Sequence, residues 1–282
     1  MIHEDIQYCL GMVLAGEGDL DRRGEGKEFC HLPLTKEIII ISLIMTNELY
    51  RGDLSDVAKV YTANGYLKVV QDKRKSGSLK SLYVKKKVTK DGIQARTGTC
   101  PKDYSYVVAT TDINVDMDYL AFLINSFPWR IMLGNGLKVI EGIYTPTSLG
   151  GLKKLPVIIL SKEEQEACAF LNTFITAMYD DMGKDEKMAD FIKKAYRYLI
   201  EVRNYIALEI LLDGKLGNPD ISVLSAWMKK KSIYDNTQDK KEAAILLVTS
   251  IFSSNNDLRN RMNKMRMYID ENEDAIFNKF PK

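Results

Sequence analysis

From Ser161 onward, apolar residues recur at helical spacing. Ser161 and Glu164 form a Ser-x-x-Glu capping box, in which each residue can satisfy a free N–H of the first turn. Behind it Ala167, Phe170, Leu171, Phe174, Ile175 and Met178 follow the i, i+3, i+4 rhythm of one packed face. A second helix is predicted from about Lys187, with Met188, Phe191, Ile192, Ala195, Leu199, Val202 and Ile206 on its apolar side. Gly214, Gly217 and Pro219 end it. Further helices are predicted over Ser222–Lys231, Lys240–Ser253 and Asp257–Asn278.

Residues 53–160 read differently. Leu82, Val84 and Val88 alternate with Tyr83, Lys85 and Lys87, the period of a half-buried strand. Lys86 then falls on the side of Leu82 and Val84, so either that side is open there or the strand ends there. Val107-Val108-Ala109 and Val139-Ile140 read as buried strands, and Pro156 to Leu160 is another apolar run. Between them Asp118 to Phe127 has helical spacing, with Tyr119, Leu120, Leu123 and Ile124 on one face. Residues 1–52 form a glycine-rich, charged lead-in. Thr35 caps a helix to about Leu49, although Ile38–Ile41 suits a strand equally. The expected class is α+β: a lead-in over 1–52, a mixed α/β domain over 53–160 and a helical domain over 161–282.

With 282 residues and 45% hydrophobic content, the chain can bury a sizeable core. The longest apolar run, Ile38 to Met45, is far short of the roughly 20 residues of a membrane span. The start Met1-Ile2-His3-Glu4-Asp5 lacks a basic secretory leader, and four scattered cysteines suit reduced thiols. A cytoplasmic protein without membrane contact is expected.

Charge adds what periodicity does not. The formal net charge is +2, yet residues 66–102 hold eleven cationic side chains against only Asp72 and Asp91. That is a local surplus of nine, which leaves the rest of the chain at −7. Tyr66 and Tyr83 lie inside this block, with Tyr104 and Tyr106 just beyond. A basic, aromatic-spaced block attracts a phosphate backbone; a solvated surface is the plainer reading.

Enzymatic motifs are absent. No Gly-x-x-x-x-Gly-Lys-Ser/Thr loop and no Gly-x-Ser-x-Gly elbow occur, and the two histidines, His3 and His31, both sit in the lead-in. Cys9 and Cys30 with those histidines make an awkward zinc set, because Cys30 and His31 are adjacent. Asp112, Asp116 and Asp118 could hold a metal, but acids gather equally at helix starts. Gly134-Asn135-Gly136 suits a turn from helix to strand. No metal site, cofactor or catalytic residue is assigned.

The order of signals resembles a known family. The α/β region opens with Leu54-Ser55-Asp56-Val57-Ala58. It closes with Gly142-Ile143-Tyr144-Thr145-Pro146-Thr147-Ser148-Leu149, then Leu152, then Leu155-Pro156-Val157. A helix with Glu163-Glu164-Gln165 and Ala169-Phe170-Leu171 follows, and Asp118-Tyr119-Leu120 to Leu123 lies mid-domain. This set is similar to a target recognition domain of the specificity subunits of type I restriction-modification systems. Such a subunit carries two recognition domains and two long spacer helices; this chain carries one domain and several helices.

The resemblance implies a non-catalytic reader of double-stranded DNA that works with methyltransferase or nuclease subunits supplied by other chains. In such a module cations hold phosphates, and polar side chains on loops read base edges. Lys73, Arg74, Lys75, Lys85, Lys86 and Lys87 are the candidate phosphate contacts. Arg96, Thr97, Thr99, Tyr144, Thr145 and Ser148 are the candidate base readers, with Arg96 in a polar loop between Gly92 and Gly98. The surface alternative pairs Arg96 with Asp91 or Asp103. A homodimer through the helices after Glu163 is expected if two half-sites are read. The competing reading is a helical assembly protein whose recognition-like domain no longer reads DNA. Met262, Met265, Met267 and Tyr268 would then be a docking surface or, more simply, core.

Overall fold

The computed structural model describes residues 52–71, 80–86, 92–98, 100, 102–133, 147–181, 189–212, 219–252 and 256–271. The lead-in helix or strand, Val88, Gly134–Gly136, Val139-Ile140, the breaks at Gly214 and Gly217, and residues 272–278 lie outside this set. The fold is α+β, with mainly helical content and one four-stranded antiparallel sheet among the described residues.

The strands are β1 (Lys59–Thr62), β2 (Lys80–Lys85), β3 (Ala95–Arg96) and β4 (Tyr104–Thr110), in spatial order β1-β4-β2-β3. In register, Val60 and Leu82 both oppose Val108, and Val84 opposes Tyr106 and Ala95. These residues form the inner face. Alternation therefore holds in β2, and the strand stops where it must: Lys86, next in line for the apolar side, is exposed beyond the strand end. Central β4 is buried from Tyr106 to Thr110 because both sheet faces are covered there.

One irregularity changes which side chains share a face. Lys85 pairs with Tyr104 although unbroken register would give Ser105. Ser105 is thus an extra residue in β4, and the bulge turns Tyr104 to the face opposite Tyr106.

The helix expected from Asp118 runs over Met117–Asn125 (α3). It follows α1 (Leu54–Val57) and α2 (Ala63–Gln71). Asp116 caps it, accepting from the N–H groups of Asp118 at 2.7 Å and Tyr119 at 3.1 Å. The one-faced pattern expected for it is corrected: every residue from Tyr119 to Asn125 is buried. The sheet covers one side and α6 (Lys162–Asp181) the other, so the apolar surface surrounds the helix.

Two short helices, α4 (Phe127–Leu133) and α5 (Leu149–Lys153), precede the apolar run at Pro156. That run is not a further sheet strand. Its ladder contact is a single antiparallel bridge from Asp53 to Pro156, flanked by Leu54 N–H to the Leu155 carbonyl at 2.8 Å and Val157 N–H to the Gly52 carbonyl at 3.0 Å. Other carbonyls are met by side chains instead. Trp129 Nε1 donates to Pro156 O at 2.7 Å, and the Tyr119 hydroxyl donates to Ile158 O at 2.6 Å. Val157 and Ile158 are buried while Ile159 is exposed, and with little strand pairing the backbone is satisfied by another route.

The helical region begins as the capping box requires. Glu164 Oε2 accepts from Ser161 N–H at 3.0 Å, and Glu164 N–H donates to Ser161 Oγ at 3.4 Å. Next come α7 (Ala189–Leu212), a 3-10 turn at Pro219–Ile221, α8 (Val223–Asn236), α9 (Lys240–Ile251) and α10 (Asp257–Glu271). No strand occurs after Ser161 among the described residues. The helix expected over Ser222–Lys231 continues to Asn236 because Tyr234 packs on Phe170, ring centroids 4.7 Å apart. Met262 and Met265 are core, while Met267 is 56% exposed. The change of secondary structure at Ser161 marks no gap in packing: one core cluster runs from Leu54 to Ile269. No described helix is long and apolar enough to cross a membrane.

Candidate nucleic-acid interface

The outer face of the sheet is aromatic. Alternation places Tyr61, Tyr83, Val107 and Ala109 there, α2 lays Tyr66 over it, and the bulge adds Tyr104. Tyr61 and Tyr66 lie 5.9 Å apart between centroids, and Tyr83 meets Tyr104 edge-on at 5.3 Å. The Tyr66 hydroxyl is hydrogen-bonded to Ser81 Oγ. Burial, followed by neighbouring phenols and the Cys100 thiol, raises the pKa of Tyr83. Burial, followed by a hydrogen bond with Cys100, raises that of Tyr104. Both phenols are neutral at physiological pH, so this partly covered face adds no negative charge beside the lysines.

Cations lie on the same strands and on their connections. Of the expected phosphate contacts, Lys85 and Lys86 are described; Lys73, Arg74, Lys75 and Lys87 lie outside the described residues. Lys85 Nζ is 2.7 Å from Asp103 Oδ2. The hydrogen bond from Lys85 is the main cause that holds the Asp103 carboxyl below its ordinary range, and Arg96 adds to it. Lys86 is exposed, and its carbonyl accepts from Thr147 N–H at 3.1 Å. Lys59, Lys68, Lys80 and Lys102 are exposed on β1, α2, β2 and the β3–β4 connection.

The expected base readers separate. Thr99, Tyr144 and Thr145 lie outside the described residues. Arg96 is corrected from a loop residue to a residue of β3, opposite Tyr83. Its Nη2 donates to both carboxylate oxygens of Asp180, at 2.9 and 3.0 Å. Its ion-pair partner is therefore Asp180 on α6 instead of the expected Asp91 or Asp103. Thr97 Oγ1 donates to Asp118 Oδ1 at 2.5 Å. Burial raises the pKa of that carboxyl, while the Thr97 bond opposes the shift. Ser148 caps α5, accepting from Gly151 N–H at 2.9 Å. It sits one residue from Thr147, whose backbone bonds Lys86 and whose Oγ1 accepts from Gln94 Nε2 at 2.8 Å.

Two relationships escaped sequence reasoning. Asn125 stitches β3 to the helices: its Oδ1 accepts from the N–H groups of Gln94 at 2.8 Å and Ala95 at 2.9 Å. Its Nδ2 donates to Ala95 O at 2.7 Å and Asn172 Oδ1 at 3.0 Å. An asparagine inside an apolar helix was the available signal, since a buried amide must find partners. Asp180 carried no comparable signal.

An open cleft of about 290 Å3 lies at the other end of β2, lined by Lys80, Ser81, Thr97, Asp116, Met117 and Asp118. Its acids serve local structure: Asp116 caps α3 and Asp118 holds Thr97. Asp112 Oδ1 accepts from Asn114 N–H at 2.8 Å. Among the described residues, no group of three or more His, Cys, Asp or Glu side chains could hold a metal ion. Comparison of the chain with protein-family models, with curated proteins and with solved structures finds no match.

Proposed function

We propose that this chain is a non-catalytic, sequence-specific reader of double-stranded DNA. On this reading it is a specificity-type subunit of a cytoplasmic restriction-modification or related defence complex. Methyltransferase or nuclease chains supply the chemistry, and no cofactor is required here. The observation that carries the reading is the distribution of the basic segment. Lys68, Lys80, Lys85, Lys86, Arg96 and Lys102 lie on α2, β2, β3 and the connections beside them, and of these Lys85 and Arg96 share the strand parity of Tyr83. Lysines supply sequence-independent affinity, and Arg96, Thr97 and Ser148, the described candidates for base edges, would have to exchange their present partners Asp180, Asp118 and the Gly151 N–H for a base. The test is selection of bound duplexes from a randomised pool. A recovered consensus supports the reading; a bound pool without consensus limits the chain to non-specific binding.

A second reading has its own observation. Lys85 and Arg96 are already matched by Asp103 and Asp180. Ile233 and Leu246, in the helical region, are 64% and 50% exposed. This favours an assembly protein that associates through its helices, with itself or with other subunits. Failure to retain any duplex at low salt, together with dimerisation in light scattering, selects it.

A further inference from the structure

Arg203 lies in α7, facing α4, where its neighbour Asn204 accepts from Phe127 N–H at 2.9 Å through Oδ1. Its side chain is 2% exposed, yet its Nε and Nη1 meet no hydrogen-bond partner among the described residues. The groups whose charge acts on it are Arg130 of α4 and Tyr196 of α7, and the larger of these influences is repulsive. Arg130 is buried as well, with Nη1 donating to Gly92 O at 3.3 Å. Burial and the Arg130 charge push the Arg203 guanidinium down to about 9, so it is still protonated at neutral pH. A charge in this position is strongly destabilising unless an opposite charge joins it.

We infer that Arg203 is the cation of an oxyanion site between α4 and α7, and that a phosphate-type anion occupies it. The planar N–H groups of guanidinium match phosphate and carboxylate oxygens, and two unpartnered donors on one guanidinium suit an anion with several oxygens better than a halide. The site is separate from the tyrosine-bearing sheet face and does not rest on DNA reading.

The test is thermal unfolding of the full chain in inorganic phosphate against sodium chloride of matched ionic strength and pH, with phosphate stoichiometry from equilibrium dialysis. Wild type is expected to bind one phosphate per chain. Its Tm should rise with the logarithm of phosphate concentration above Kd, by about 5 °C at a hundredfold excess. Arg203→Met should lose that response and melt no lower than wild type in chloride. Arg203→Lys, which keeps the charge, should retain part of the response. Equal phosphate shifts in wild type and Arg203→Met would mean an unspecific salt effect and overturn the site. No bound phosphate, with Arg203→Met destabilised in every buffer, would assign the counter-charge to a carboxylate of the chain itself and also overturn it. If Arg203→Met does not fold, the wild-type stoichiometry and the Arg203→Lys response decide alone.

Discussion

Arg96 and Asp180, 84 residues apart, are joined by one guanidinium nitrogen that donates to both carboxylate oxygens. The pair ties the edge strand β3 to the C-terminal turn of α6. Both side chains remain partly exposed, so the pair adds at most about 1 kcal/mol to stability. Its consequence is competition, because the atoms a guanine would take from Arg96 are held by Asp180. Asp180→Asn should therefore raise affinity for the preferred duplex while leaving the unfolding free energy measured in urea within about 1 kcal/mol of wild type. Arg96→Ala should reduce discrimination between preferred and random duplex by about 1–3 kcal/mol. Competition binding with both duplexes checks each variant, and unchanged discrimination in Arg96→Ala removes it from the base readers.

Asn125 satisfies two N–H groups, one carbonyl and one side-chain amide in a buried site. Asn125→Ala strands the Gln94 and Ala95 N–H groups without water. Each such group costs about 1–3 kcal/mol, so a loss of about 3 kcal/mol is expected. Urea unfolding measures it, and hydrogen exchange should show β3 opening first.

Glu209 of α7 closes the start of α8. Its carboxylate accepts from Val223 N–H at 2.8 Å, from Leu224 N–H at 3.0 Å and from the Ser222 hydroxyl. Ser222 in turn accepts from Ser225 N–H at 3.0 Å, so the helix has a cap and a tertiary acceptor. Glu209→Ala should cost about 2 kcal/mol of unfolding free energy measured in denaturant, and Ser222→Ala about 1 kcal/mol.

Glu201 gives a pH dependence. Burial raises its carboxyl from an ordinary 4.5 to about 7, with the Arg259 charge opposing the shift. The folded state therefore holds this proton more tightly than the unfolded state. That contribution to stability is full below 4.5 and is lost as pH rises toward 7. Glu201→Gln, which cannot ionise, should become more stable than wild type across that window, by about 2 kcal/mol at neutral pH after solvent screening. Melting curves of both proteins from pH 4 to 8 check the sign; parallel curves contradict it.

The helices were legible because their signals are local. Ser161 with Glu164, and the stripe from Ala167 to Met178, need no distant partner to be read. The inner sheet face was legible for the same reason, since Leu82 and Val84 alternate. Tyr104 was not, because a one-residue bulge reverses its face and depends on the pairing of β2 with β4. Pro156–Leu160 misled because an apolar run does not reveal that Trp129 and Tyr119 will serve its carbonyls. At the candidate interface, the lysine block was visible as charge. The occupation of Lys85 by Asp103 and of Arg96 by Asp180 depends on how the chain folds back on itself.

The central claim, that the basic segment grips duplex DNA, is tested most directly by the salt dependence of binding. Fluorescence anisotropy of a labelled duplex, measured across a range of sodium chloride, gives log K against log salt for wild type and for a Lys85, Lys86, Lys87 triple alanine variant. Each phosphate neutralised contributes about 0.9 to the slope, so the triple variant should lose up to about 2.7 and bind all sequences more weakly. Lys86→Ala alone should lose more than Lys85→Ala, since Lys85 already pairs with Asp103 at 2.7 Å. A wild-type chain that binds no duplex at low salt, or a triple variant with unchanged affinity and slope, contradicts the account.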